Sequence, residues 1–256
     1  MPTIDTLLRQ RHERTLVLSL HQPARRNALS AAIKHELHQA LLDARDDPGL
    51  DAIVLRGEGG TFCSGGDLTA MQLADRAEGV ERMRANAELI RLMLEFPKPI
   101  LAAVEGWAAG AGLSLALACD SLIAADDARF KAGFGRVGLI GDLGLLHTLP
   151  ARVGVAAARQ ILLYNEPLGV GEAHRIGLVD RIVPAGTTLE AALERCRTLR
   201  SHAPLALAAT KQLLARGVTA LLEEECQRQA DLFLSSDHAE GKRAFNDKRE
   251  PRFQGR

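Results

Sequence analysis

Residues 98–120 read KPILAAVEGWAAGAGLSLALACD, and how this stretch is parsed decides the fold. From Pro99 to Cys119 the only charged residue is Glu105, over a length sufficient to raise the question of a membrane span. Glu105 sits inside the run, however, and Gly106, Gly110 and Gly112 punctuate it. The stretch is therefore parsed as a buried strand (100–104), a glycine-rich loop (106–110) and a buried helix (111–119).

The same alternation extends outward in both directions. Residues 14–20 (RTLVLSL) form a short aliphatic strand, and 21–27 (HQPARRN) form a polar turn. Ser30 is a candidate N-cap for a helix whose apolar stripe is Ile33, Leu37, Leu41 and Ala44, ended by Pro48-Gly49. A second strand (51–56) leads into a glycine-rich loop (57–67), and a charged helix (76–95) is stopped by Pro97 and Pro99. After residue 120 come a strand (120–125), an irregular glycine-rich segment (130–144), helices starting near 145, 155 and 171, and a last strand (178–183). From 187 onward the pattern is helical, with breaks at Pro204, Gly217 and near Asp237. Strands separated by helices favour parallel pairing with helical crossovers, so the fold class is α/β. The expected division is an α/β core over 1–186 and a helical region over 187–256.

Composition narrows the function classes. The 256 residues carry 32 Lys+Arg against 32 Asp+Glu, a net charge of zero, which argues against a nucleic-acid partner. No apolar leader precedes the first strand, so no signal peptide is read. Cys63, Cys119, Cys196 and Cys226 lie far apart with no C-x-x-C and no zinc spacing. They are expected to be free thiols in a reducing, cytoplasmic compartment, with no metal site.

Two glycine-rich loops stand out: 61–68 (TFCSGGDL) and 106–112 (GWAAGAG). Neither is a phosphate loop, and the second lacks G-x-G-x-x-G spacing. Small residues at strand ends leave backbone amides open to a ligand, and the second loop feeds a helix whose first amides have no internal partner. One amide from each loop, converging on one oxygen, makes an oxyanion hole.

These loops, in this order and separation, resemble the crotonase (enoyl-CoA hydratase/isomerase) superfamily. Asp120, Phe130, Gly138-Leu139, Glu172-Ala173, Gly177-Leu178-Val179 and Val183 continue the resemblance, which runs to about Phe253. It implies a spiral of ββα units with a C-terminal helical trimerisation region, an acyl-CoA thioester substrate, and a homotrimer or dimer of trimers. It implies no permanently bound cofactor, since coenzyme A enters as part of the substrate. By position, the amides of Gly66 and Ala111 hold the thioester oxygen, and Ala111 stands where many members have glycine.

The acids depart from the hydratase pattern. Hydratases of the superfamily use two glutamates, and the matching positions here are Ser114 and Phe134. Ser114 is left to hold a water or substrate group, or to be an ordinary helix serine, and Phe134 to wall the acyl pocket. The remaining acid is Asp142, within GLIGDLG (138–144), at a position matched by an aspartate in isomerases of dienoyl-CoA and of ring-epoxide phenylacetyl-CoA. Local sequence also allows a helix N-cap there. In an apolar acyl pocket Asp142 is expected to have a raised pKa and to shuttle a proton during double-bond, or the closely related ring, isomerisation. Arg91 stands where the superfamily's dehalogenases place a histidine base, which argues against that chemistry.

The resemblance also places Arg25 and Arg26 near the nucleotide phosphates, Ser64, Gly65, Asp67 and Leu68 around the first oxyanion amide, and Phe233, Phe245 and Lys248 around the adenine and 3′-phosphate. The apolar residues of the C-terminal helices suggest subunit packing. Two further readings stay open: a hydratase with an atypical water site, and a CoA-binding homologue that has lost catalysis.

Overall fold

Each central strand is apolar on both faces because the main sheet is covered on both sides. The computed structural model describes residues 6–71 and 73–256. Its larger sheet runs β1 (Leu7–His12), β2 (Thr15–Leu20), β3 (Ala52–Gly57), β4 (Ile100–Val104), β6 (Ser121–Ala125) and β9 (Arg181–Val183), in that spatial order. Only β1 and β2 pair antiparallel; every other neighbour is parallel, with Val54 opposite Leu101 and Leu101 opposite Ser121. Leu18, Leu20, Ile53, Leu55, Ile100, Ala102, Val104, Leu122 and Ala124 point into the main core. The alternate positions Val17, Ala52, Val54, Leu101, Ala103 and Ile123 point the other way, onto Ala191, Ala192 and Cys196 of α6 (Thr188–Leu199). Parallel strands buried on both faces give continuous apolar runs rather than alternation. The helical region beyond residue 186 thus begins as one cover of the sheet.

The helices follow their sequence signals closely. Ser30 caps α1 (Ala31–Arg45), its hydroxyl accepting from the Ile33 amide at 3.2 Å, and Ile33, Leu37, Leu41 and Ala44 are buried with Ala40. Next come α2 (Arg76–Leu94), α3 (Ala111–Leu117) and α4 (Leu145–Tyr164), the last broken at Gly154 (φ 75°) as the separate starts at 145 and 155 imply. After α5 (Val170–Arg175), the C-terminal run is α6, α7 (Pro204–Leu214), α8 (Val218–Phe233) and α9 (Ser236–Asn246), with α8 packed along α2. No single helix among the described residues is long and apolar enough to cross a membrane. Glu105, the lone charge of the 99–119 stretch, accepts from Thr188 Oγ1 at 2.7 Å and so anchors the start of α6.

Four strands, β1, β5 (Trp107–Ala109), β7 (Arg129–Lys131) and β8 (Leu168–Gly169), are not anticipated by the sequence pattern. β1 is an edge strand whose central residues, Leu8–Arg11, are exposed, so it carries no apolar alternation. β5, expected as a loop, pairs with β7, which pairs with β8 in a second, three-stranded sheet. Such short segments become strands through their partners, not through their own composition. All four cysteines are free and buried.

The close approach of α3 to the first glycine loop needs Gly112. A Cβ there would sit 2.4 Å from the Cys63 carbonyl oxygen and 2.7 Å from the Cys63 Cβ. Gly112→Ala is expected to cost about 1–3 kcal/mol of stability through this overpacking, read as a lowered melting temperature by circular dichroism.

Candidate active site

Three loops at the carboxyl ends of β2, β3 and β4 are laced together by backbone hydrogen bonds. Phe62 and Cys63 donate to Glu105 and Trp107, and Ala109 donates back to the Cys63 carbonyl at 3.0 Å. Leu29 donates to Gly65 and Ser64 to Arg26. Asn27, fully buried, adds side-chain bonds to the Glu58 and Thr61 carbonyls at 2.8 and 2.7 Å. Gly65 takes φ of 118°, a conformation that favours glycine, and a Cβ there would meet the Ala109 carbonyl oxygen at 3.2 Å. Strand ends of open α/β sheets are where such folds build sites. Gly66 and Ala111 lie three residues beyond the laced Cys63–Ala108 pair, and both line one cavity of about 750 Å³.

Most residues singled out in the sequence meet there. Arg25, Arg26, Ser64, Gly65, Gly66, Asp67, Leu68, Ala111, Phe134, Asp142, Phe233 and Phe245 all line this cavity. Two do not. Ser114 is fully buried inside α3 and turns its hydroxyl to the Gly110 carbonyl at 3.4 Å, the usual fate of a serine within a helix. Lys248 is exposed beyond the end of α9 and is not part of the wall.

The wall holds two carboxylates with opposite environments. Asp67 caps a short turn: its Oδ1 accepts from the Thr69 hydroxyl at 2.6 Å, the Thr69 amide at 3.1 Å and Arg25 at 2.8 Å. Burial alone would raise its pKa, but the Thr69 bonds and the Arg25 charge together hold it below the usual carboxylate value. Asp67 is thus a poor base, tied into its loop.

Asp142 is the reverse case. It is buried, and burial lifts its pKa to about 6 against the opposing pull of Lys34, Gln229 and Arg82. Oδ2 accepts one long bond from Gln229 at 3.4 Å, while Oδ1 has no hydrogen-bond partner among the described residues. Asp142 does not cap α4; that place belongs to Gly144 (φ 71°).

The loop carrying Asp142 is held from below by α8. Gln229, fully buried, accepts from the Ile140 amide at 3.1 Å and donates to the Ile140 carbonyl at 3.2 Å. One turn earlier, Glu225 accepts from the Gly144 amide at 3.1 Å. Burial first, and the nearby Asp142 second, raise Glu225 to about 8, so it is protonated at neutral pH. Gln229→Leu is expected to remove Asp142's hydrogen bond and free its loop. The pKa of Asp142 then rises further, so with Asp142 as the proposed base the acidic limb of kcat/KM moves to higher pH and activity at pH 7 falls a few-fold. A pH–rate profile reads this directly.

Sequence reasoning missed Gln229 and Glu225, and also Lys34, Arg82 and Asn86, which line the cavity. Lys34 lies next to Ile33 in α1, on what looks like a solvated face, yet its ammonium donates to Asn86 at 2.7 Å. Burial, then Arg82, bring its pKa down to about 8, with Asp142 opposing. Arg82 and Asn86 are four apart on α2, which places both on one helix face. That spacing is the one signal the sequence offered.

The comparisons with known proteins agree with this architecture. The enoyl-CoA hydratase/isomerase family model matches residues 10–256. A protein of Rhodobacter capsulatus described as a probable enoyl-CoA hydratase is 41% identical, over 94% of each chain. From Escherichia coli, a 2,3-dehydroadipyl-CoA hydratase is 35% identical over 99% of this chain and 100% of its own. A 1,2-epoxyphenylacetyl-CoA isomerase of the same organism is 32% identical over 94% and 95%. The crystal structure of an enoyl-CoA hydratase from Mycobacterium avium subsp. paratuberculosis superposes with a TM-score of 0.86 at 29% identity, covering 98% of this chain and 100% of that one. With two laced glycine loops opening one cavity and a match over nearly its whole length, this chain belongs to the enoyl-CoA hydratase/isomerase family.

Proposed function

We propose that the protein isomerises an enoyl-CoA thioester, moving a double bond from the 3,4 to the 2,3 position. The observation that carries this reading is the contrast of one poised acid with one held ionised by its partners: Asp142 has a buried oxygen without a hydrogen-bond partner among the described residues and a pKa near 6, and Asp67 is engaged. In this reading the Gly66 and Ala111 amides hold the thioester oxygen. The Asp142 carboxylate takes a proton from C2, and the electron pair of that bond delocalises onto the held oxygen as a dienolate. The same carboxyl then returns the proton to C4, the double bond settles between C2 and C3, and Asp142 regains its starting charge. Preorganised amides stabilise the dienolate more than the ground state, which lowers the barrier. An acid with a pKa near the working pH suits both transfers.

Hydration is the second reading, favoured by the names of two of the relatives. It needs a water delivered by Asp142 alone, since positions 114 and 134 carry no carboxylate. The assay that separates them offers 3-enoyl-CoA and 2-enoyl-CoA in heavy water and follows product mass. Isomerisation predicts rapid conversion of 3-enoyl-CoA. If 2-enoyl-CoA gains water quickly while 3-enoyl-CoA is ignored, the isomerase reading is wrong.

The trimeric or hexameric assembly belongs to the same proposal. It draws support from Leu163, Leu205 and Leu214, which are 75%, 84% and 77% exposed in the single chain. The cytoplasmic setting draws support from four free thiols. The proposed organisation is an α/β region over 1–186 and a helical region over 187–256, whose α6 covers one face of the main sheet.

A further inference from the structure

The proposed proton transfer leaves a nucleophile in the cavity unused, the amine of Lys34. Lys34 of α1 lines the same cavity as Gly66, Ala111 and Asp142. Its Nζ donates to the Asn86 side chain of α2 at 2.7 Å, which engages one N–H and leaves the nitrogen's electron pair open once the amine is neutral. Burial first and the Arg82 charge second bring its pKa down to about 8, against the pull of Asp142. At pH 7 roughly a tenth of the amine is then neutral, against fewer than about one in a thousand for an ordinary lysine. A desolvated lysine of this kind is a nucleophile, and it rides on a flexible four-carbon stem.

The same cavity prepares an electrophile. In the acyl-CoA reading the Gly66 and Ala111 amides hold the thioester oxygen, and their hold draws electron density from the carbonyl carbon whether or not a proton moves. Lys34 and Asp142 act on each other, so the amine shares one end of the cavity with the carboxyl proposed to work beside that carbonyl.

We propose that Lys34 is a site of self-acylation, taking the acyl group of a bound acyl-CoA onto its side-chain nitrogen as an amide. The neutral nitrogen attacks the carbonyl carbon, and the carbonyl electron pair moves onto the held oxygen. As the carbonyl re-forms, the carbon–sulfur bond breaks. Coenzyme A leaves as the thiolate and takes up the proton that the nitrogen sheds, so no oxidant, reductant or further reactant enters. The amide carries no charge. Acylation thus removes a cation that acts on Asp142 and lodges an acyl chain in the cavity, which shuts the site when acyl-CoA is left standing in it. This rests on the acyl-CoA reading of the cavity but not on the reaction performed there.

The test uses hexanoyl-CoA, a saturated thioester with no double bond to move or hydrate, on the full chain near pH 8. Mass spectrometry is expected to show the gain of a hexanoyl group, located by peptide fragmentation at Lys34 and formed at least about tenfold faster than at the exposed Lys248. The adduct is expected to survive hydroxylamine, as an amide does and a cysteine thioester does not. Lys34→Arg keeps the positive charge, loses the gain, and still binds hexanoyl-CoA by titration calorimetry. Modification spread evenly over Lys34, Lys131 and Lys248, a gain that persists in Lys34→Arg, or one that hydroxylamine removes overturns the assignment. An unaltered chain that binds hexanoyl-CoA and stays unmodified overturns it too, and leaves the acyl-CoA reading standing. A chain that binds no hexanoyl-CoA loses both.

Discussion

Asp142→Asn is expected to lower kcat on 3-enoyl-CoA about 10⁴-fold while acyl-CoA binding persists. The figure is the upper end of what one acid–base group supplies, because in the proposed isomerisation this group performs both the removal and the return of the proton. The amide keeps the shape and can still accept from Gln229, so the loop held by Gln229 and Glu225 has no reason to move. The same change is expected to raise the melting temperature at pH 7. Asp142's folded pKa of about 6 lies above its ordinary 3.8, so its contribution to stability is fully present below pH 4 and lost as pH rises through 6. The gap corresponds to roughly 3 kcal/mol, which the amide avoids. In the unaltered protein, kcat/KM rises with pH through about 6 as the base form appears, while stability falls across the same window. Glu225, raised to about 8, extends that decline in stability towards pH 8. A variant that turns over at near the original rate, or that melts lower at pH 7 but equally at pH 4, would contradict this account of Asp142.

Ala111→Pro is expected to cost 10²–10³ in kcat, the loss seen when one oxyanion donor is deleted. The substitution suits the position: residue 111 opens α3, where the amide has no helical partner and proline's fixed φ is already helical. The fold should survive, while a ring carbon takes the place of the proton that would face the thioester oxygen. Ala111→Gly keeps the amide and is expected to stay within a few-fold of the original rate. Circular dichroism with steady-state kinetics on both variants decides the matter. If the proline variant is folded and fully active, the amide of residue 111 plays no part in the chemistry.

The sequence by itself determined the alternation of strand and helix, the parsing of residues 98–120, and the two glycine loops. Period, capping and turn chemistry are local, so Ser30, Pro99 and Gly110 act through their own neighbours. It also determined that positions 114 and 134 hold no carboxylate. Tertiary structure decided what is set by neighbours distant in the chain. β1, β5, β7 and β8 exist because partners pair with them, and Ser114 turns inward because α3 is buried on every side. Above all, Asp142 owes its environment to α1, α2 and α8, which bring Lys34, Arg82, Gln229 and Glu225 around it from up to 108 positions away in sequence. Desolvation and Coulomb forces act through space, and no pattern read along the chain contains them.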